Sequence, residues 1–327
     1  MVYLNSHSQS VERLTMISVT APIELAIGRT RKILFQPFSA EKWFVLGFCA
    51  FLANLTSGGG GGGYRGGNLV QNSPADRQAF QQFGDWISGH LPLVISIGLL
   101  VLVLVLALVA LFQWLGSRGQ FMFLDGVVQN RARVTEPWRR FRELGNSLFL
   151  FRFLLGLAWM GSFLIIGLMA WLIARPDIAA RHFGGLALSA LLVGGGLLLV
   201  TSLAFALVEL LLLDFIVPIM YRLNVKTAEA FSALRQEILP GHAGVFVLFY
   251  LMKIALGLAA AVVIIAGTCL TCCIAGLPYL SSVVFLPLFV FFRCYSLFFL
   301  EQFGEEWRLL DNSSAPEIER GSSAPAL

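Results

Sequence analysis

Residues 91–115, "LPLVISIGLLVLVLVLALVALFQWL", run for 25 positions without a charged side chain. The hydrocarbon core of a bilayer asks a helix for about 20 consecutive apolar residues. In lipid only a helix or a closed barrel satisfies its own backbone. This stretch is therefore a spanning helix. Residues 148–173, 185–208, 246–268 and 278–300 repeat the pattern. The segment "WFVLGFCAFLANL" is shorter, but no charge falls between Lys42 and Arg65, which extends it to a span over 43–57. Composition agrees: the chain is 57% hydrophobic and 13% charged, where a soluble domain carries about 25% charged residues. The predicted fold class is an all-α integral membrane protein, six transmembrane helices arranged as three helical hairpins. Its single membrane domain covers 21–303, with disordered ends at 1–20 and 304–327 and a Gly-rich outer loop at 57–90. Residues 1–20 lack the apolar core of a secretory signal, and Met16 is an alternative start.

Of the 23 Lys and Arg residues, Arg65, Arg77, Arg175 and Arg181 fall on one side of these spans, and Arg152, Lys253 and Arg293 fall within them. The other 16 lie on the opposite side, which the positive-inside rule makes cytoplasmic, together with both termini. Trp43, Trp114 and Trp307 near the inner boundary, with Trp86 and Trp171 near the outer, match aromatic belts. The net charge of +4 is thus a topology signal, and no nucleic-acid partner is expected.

Three phrases resemble one another. "RFLLGLA" at 152–158 and "KIALGLA" at 253–259 share an offset of 101 residues, and "KWFVLGFCA" begins at Lys42. Upstream, "ALVAL" (107–111) and "ALVEL" (206–210) keep nearly the same spacing. An amphipathic stretch precedes each phrase: 23–35, 136–149 and 227–239, with Ser39, Thr135 and Thr227 as N-caps near the junctions. The unit is a cytoplasmic interfacial helix followed by a transmembrane hairpin, present three times.

That unit places Lys42, Arg152 and Lys253 in the inner leaflet, with Glu209, Asp214 and Arg293 at similar depth. Gly47, Gly156 and Gly257, one turn deeper, are expected to allow close helix packing. Two readings of these charged residues stand side by side: a belt of snorkelling bases and internal ion pairs, or a site of Lys42, Arg152, Glu209, Lys253 and Arg293 that binds anionic lipid or substrate headgroups.

No catalytic or metal pattern competes. "GGGGGGYRGG" at 58–67 lacks the Gly-Lys-Ser/Thr ending of a phosphate loop and is read as a linker. "CLTCC" (269–273) has no second Cys pair or His nearby, and the five cysteines are an odd number. The four histidines are scattered. No enzyme activity, cofactor or metal is expected.

"RTRKILFQPFSAEKWFVLGFCAFLANL" followed by a glycine run resembles an uncharacterised polytopic membrane family of bacteria and archaea. Its marks are an amphipathic helix, Pro37-Phe38, Lys42-Trp43, a short apolar helix, then poly-glycine. "FLDGVVQNRARV" (123–134) and "LLDFIVPIMYRLNV" (212–225) resemble its inner loops. More distantly the chain is similar to the membrane portion of some glycerophosphodiester phosphodiesterases, without room for their catalytic domain. The resemblance implies a bacterial inner membrane and no reaction. Two functions follow: a non-enzymatic protein that organises lipid or partner proteins, or a transporter using an inner-leaflet polar site. Single cysteines at positions 42, 152 and 253 are expected to react with a membrane-impermeant thiol reagent only in inverted vesicles. Labelling of intact cells at any of them would reverse the topology.

Overall fold

The computed structural model describes residues 17–55, 89–180, 184–270 and 278–310. Those residues form helices and turns with no strand among them. The helices are α1 (Ala21–Phe35), α2 (Ala40–Asn54), α3 (Leu91–Val128), α4 (Thr135–Arg140), α5 (Arg142–Ala179), α6 (Gly185–Leu211), α7 (Val217–Leu223), α8 (Thr227–Ala233), α9 (Ala243–Leu270), α10 (Pro278–Val284) and α11 (Leu286–Glu301). A π-helical turn, Leu212–Ile216, joins α6 to α7, and a second, Leu234–Ile238, extends α8.

Four of these are long and apolar enough to cross a membrane: α3, α5, α9 and the continuous α6–α7 rod, Gly185–Leu223. The expected six spans are thus not six such helices. Helix α2 has only 15 residues, about 22 Å at 1.5 Å per residue. The 278–300 segment breaks at Phe285, because Pro287 has no N–H for the carbonyl of Val283 four residues back and its ring crowds the preceding turn. Trp43 of α2 repairs the loss: its indole N–H donates to Val283 O at 2.8 Å.

The long helices are divided lengthwise. In α3, residues 91–112 are almost all exposed apolar side chains, whereas Gly116 to Val127 are buried throughout. The exposed part is about 33 Å long, the thickness of a hydrocarbon core. Helix α5 follows the reverse order: Leu144, Gly145, Leu148 and Arg152 are buried, and the following stretch is open until Asp177. The α6–α7 rod is open until Leu211 apart from Ala190 and Gly194, and buried from Asp214 to Met220. One core results, at one end of the four long helices. Into it pack α1, α2 and α11, with Ile33, Leu46, Phe121, Phe215, Phe249 and Tyr295 fully buried.

Local chemistry fixes the elements. Ser39 Oγ accepts from the Lys42 amide and caps α2, while no side-chain cap forms at the starts of α4 and α8, where Thr135 and Thr227 stand. Residues 142–149 belong to the first turns of α5 rather than to a separate interfacial helix. The buried residues of α1, Pro22, Ala26, Thr30 and Ile33, recur at helical spacing and form one face. At the far end of the α5–α6 hairpin the buried Asp177 carboxylate accepts from the Ala187 amide at 2.8 Å, near the N-terminus of α6. The Gly-rich outer loop, residues 1–16 and the tail from 311 lie outside the described residues.

The glycines separate by environment. A Cβ on Gly119 would lie 2.6 Å from Leu52 Cβ and 2.7 Å from the Ala53 amide nitrogen. A Cβ on Gly47 would meet Val283 at 2.7 Å. At Gly156 and Gly257 nothing lies within 4 Å, so the close packing expected there is not made within this chain. Gly119→Ala is therefore expected to cost about 2 kcal/mol through overpacking against backbone. Gly156→Ala and Gly257→Ala are expected to be neutral or to gain up to about 1 kcal/mol of helix propensity. Thermal unfolding of the three purified variants in one detergent checks the order.

Candidate functional site

The charges lie where the open and buried parts of the long helices meet. On α5 the buried Arg152 donates through Nη2 to Glu209 Oε1 of α6, while its Nε and Nη1 are buried and make no hydrogen bond. Five residues beyond Glu209, inside the π-turn, Asp214 takes Lys253 of α9, whose Nζ lies 2.5 Å from both carboxylate oxygens. Ser296 of α11 donates to Asp214 Oδ1 at 3.1 Å. Side chains of Asp214 and Lys253 are 8% and 20% exposed. In such a setting an ion pair is retained only where its remaining donors and acceptors are also met.

Arg293 of α11 completes the group. Its Nη1 donates to Leu213 O at 2.7 Å and its Nη2 to Gln120 Oε1 of α3. Gln120 in turn donates to Ala53 O at 2.7 Å. The π-turn makes this possible. Its i→i+5 bonding inserts a residue into the helix and shifts the downstream faces, as such turns commonly do near polar sites. A cavity of about 140 Å³ opens among Asn54, Gln120, Leu210, Asp214, Lys253 and Arg293, with Phe123, Phe289 and Phe292 on its apolar sides.

Of the five charged residues expected from sequence, Lys253 and Arg293 line this cavity. Arg152 and Glu209 pair beside it, one turn up the α6 face from Leu213. Lys42 stands apart: its Nζ donates to Ile33 O at 2.7 Å and to Asn130 Oδ1 at 2.5 Å, tying α1 and α2 to the turn after α3. Asp214, expected only to lie at the depth of Glu209, and Gln120, for which no role was expected, are both central. The signal for Asp214 is its position inside a long apolar run. Gln120 carries no such mark, because its role depends on how α3 packs.

A second polar network joins the loops at the buried end. Asp125 of α3, 1% exposed, accepts from Tyr221 Oη at 2.9 Å and from Gln129 Nε2 at 3.0 Å, and pairs with Arg131. Arg133 and Arg131 hold the exposed Glu136 carboxyl below its usual range, chiefly through the hydrogen bond from Arg133. A carboxyl of lowered pKa adds its small stability above the unfolded value and loses it as pH falls. Nearby, Arg118 lies over the rings of Trp114 and Trp138, 4.2 and 4.9 Å from their centroids, and donates to Asn146.

Among the described residues no group of three or more His, Cys, Asp or Glu side chains is placed to hold a metal. Cys269 is exposed and free. Cys272, Cys273, His7 and His182 lie outside the described residues.

Breaking the Lys253–Asp214 pair from one side strands a buried charge. Lys253→Met is expected to cost about 3 kcal/mol, and adding Asp214→Asn is expected to restore most of that loss. Unfolding midpoints of the two single variants and the double variant measure the coupling. Additive losses would mean that the pair contributes nothing.

Comparison with known proteins adds membership without chemistry. No curated protein and no solved structure matches the chain. A family model matches residues 17–288, most of its length. The chain therefore belongs to a family of unknown function, DUF7544.

Proposed function

We propose that the chain is a multi-pass protein of the cytoplasmic membrane that catalyses no reaction and organises lipid or partner proteins at the cytoplasmic face. One observation carries this reading: the buried core is confined to one end of four long helices whose apolar windows are otherwise 0–11% buried. Such a molecule exposes apolar helices to lipid and reserves its folded mass for one membrane surface. Arg29, Arg31, Lys32, Arg139, Arg140 and Lys226 all belong to segments at that end, which supports a cytoplasmic assignment and both termini inside. In this reading α2 and the broken α10–α11 pair enter the same leaflet as short membrane segments. They complete three hairpins with α3, α5–α6 and α9.

Anionic leaflets attract basic surfaces with about 1 kcal/mol per Lys or Arg. Pull-down of partners and lipid analysis of protein in nanodiscs of anionic or zwitterionic lipid test the proposal. Selective enrichment of anionic lipid, or a specific partner lost on Arg31→Gln/Lys32→Gln, is the expected result. No preference and no partner would remove its support.

Transport is a second reading, favoured by the ion pairs within spanning helices beside a π-turn and a proline break. Transporters place interrupted helices at their sites. Solute flux through reconstituted vesicles that Lys253→Met abolishes would favour transport over the first reading.

A further inference from the structure

The cavity beside Asp214 has an electrical imbalance. Its lining holds two cations, Lys253 and Arg293, against one carboxylate, Asp214. Arg293 spends two of its donors on neutral oxygens, Leu213 O and Gln120 Oε1, out of the five N–H groups of a guanidinium. Lys253 has three ammonium protons and two close carboxylate oxygens. The site therefore keeps spare donors and one uncompensated positive charge in a low-dielectric setting, where an unpaired charge is costly. A bound monoanion relieves both. The space, about 140 Å³, equals roughly four or five waters at their liquid volume of about 30 Å³ each, enough for one small oxyanion group.

The rim shows how such a group would arrive. Leu203, Leu207 and Leu210 share one face of α6 by their 4- and 3-residue spacing. They are 58%, 43% and 40% exposed, declining toward the cavity that Leu210 lines. An apolar track on the lipid-facing surface thus ends at the charged pocket. Phe289 and Phe292 extend that apolar wall inside.

We propose that this cavity binds the phosphodiester group of an anionic membrane amphiphile, one whose headgroup carries no cation of its own, with Arg293 and Lys253 as its charged donors and the tail lying along the Leu203–Leu207–Leu210 face. This deepens the lipid-organising reading above and rests on its lipid branch. A phosphodiester carries one negative charge at neutral pH, matching the single excess charge of the lining.

Delipidated protein is titrated in two arms, with an anionic phosphodiester lipid (phosphatidylglycerol) doped into phosphatidylcholine nanodiscs, and with inorganic phosphate alone. The unfolding midpoint and co-purified lipid by native mass spectrometry are read in each. Phosphatidylglycerol is expected to raise the midpoint and to remain bound in about one copy, while inorganic phosphate does neither. Arg293→Gln is expected to weaken lipid binding by about tenfold or more, as loss of a charged hydrogen bond does. Because Arg293 also braces α11, Asn54→Leu is the second variant: it removes a polar lining group, leaves the ion pair intact, and is expected to lower affinity severalfold. Arg31→Gln/Lys32→Gln, outside the cavity, should lower bulk anionic-lipid enrichment while leaving the single tight copy, which separates this site from the surface reading. An equal response to free phosphate, or tight binding unchanged in both cavity variants, overturns the proposal.

Discussion

Hydrocarbon thickness is the constraint from which the rest of the architecture follows. A bilayer core accommodates about 20 helical residues, yet α3 and α5 each have 38 residues and the α6–α7 rod has 39. The surplus must leave the lipid at one end. There its backbone is already satisfied, but its side chains need a folded environment. Gly116–Val127 of α3 and Asp214–Met220 of the rod supply it for one another, and α1, α2 and α11 close around them. Close approach is bought by small residues where backbone meets backbone, as at Gly119 against Leu52. Where helices face lipid, as at Gly156, no such demand exists.

The polar groups at this boundary obey the same logic. A charge near hydrocarbon must be paired or reach water, and each one here is met by another helix: Arg152 by Glu209, Lys253 by Asp214, Arg293 by the Leu213 carbonyl and Gln120. Helix α9 depends most on this arrangement. It buries only Phe246, Phe249 and Ala260. Its attachment is a cluster of rings, Phe246 and Phe249 on Phe215 and Phe299, with Phe249 stacked on Tyr295 at 5.1 Å, together with the Lys253 pair. Stacked rings give area without a fixed register, since neighbouring rings offer similar surfaces. The ion pair adds one fixed point, Lys253 against Asp214.

The sequence made the helical membrane class legible because 91–115 admits no other structure in lipid. It also exposed Arg152, Lys253 and Arg293, since a charge inside an apolar run is visible without knowing any contact. The number of spanning helices was less legible. Hydropathy treats 278–300 as one run, while the backbone breaks where Pro287 removes a donor, and Trp43, some 240 residues away in the chain, takes the vacant carbonyl. Nor does hydropathy reveal that about a third of α3 is protein-facing: "GQFMFLDGVV" reads as apolar whether lipid or protein surrounds it. The partners of the visible charges were hidden for a related reason. Gln120 and Ser296 become site residues only through the packing of α3 and α11 against the π-turn.

The three similar phrases differ in what answers their basic residue. Arg152 and Lys253 meet carboxylates five residues apart on one continuous rod, whereas Lys42 meets a backbone carbonyl and the Asn130 amide oxygen. Neutral acceptors leave the charge of Lys42 uncancelled, which is tolerable only near water or headgroups, at the surface where Ser39 begins α2. A carboxylate answers Arg152 and Lys253, whose side chains are 2% and 20% exposed. The local motif therefore does not decide which partner each base receives. Arg293, answered only by neutral oxygens although it is packed against Gln120 and the π-turn, is the base whose charge the proposed anion balances.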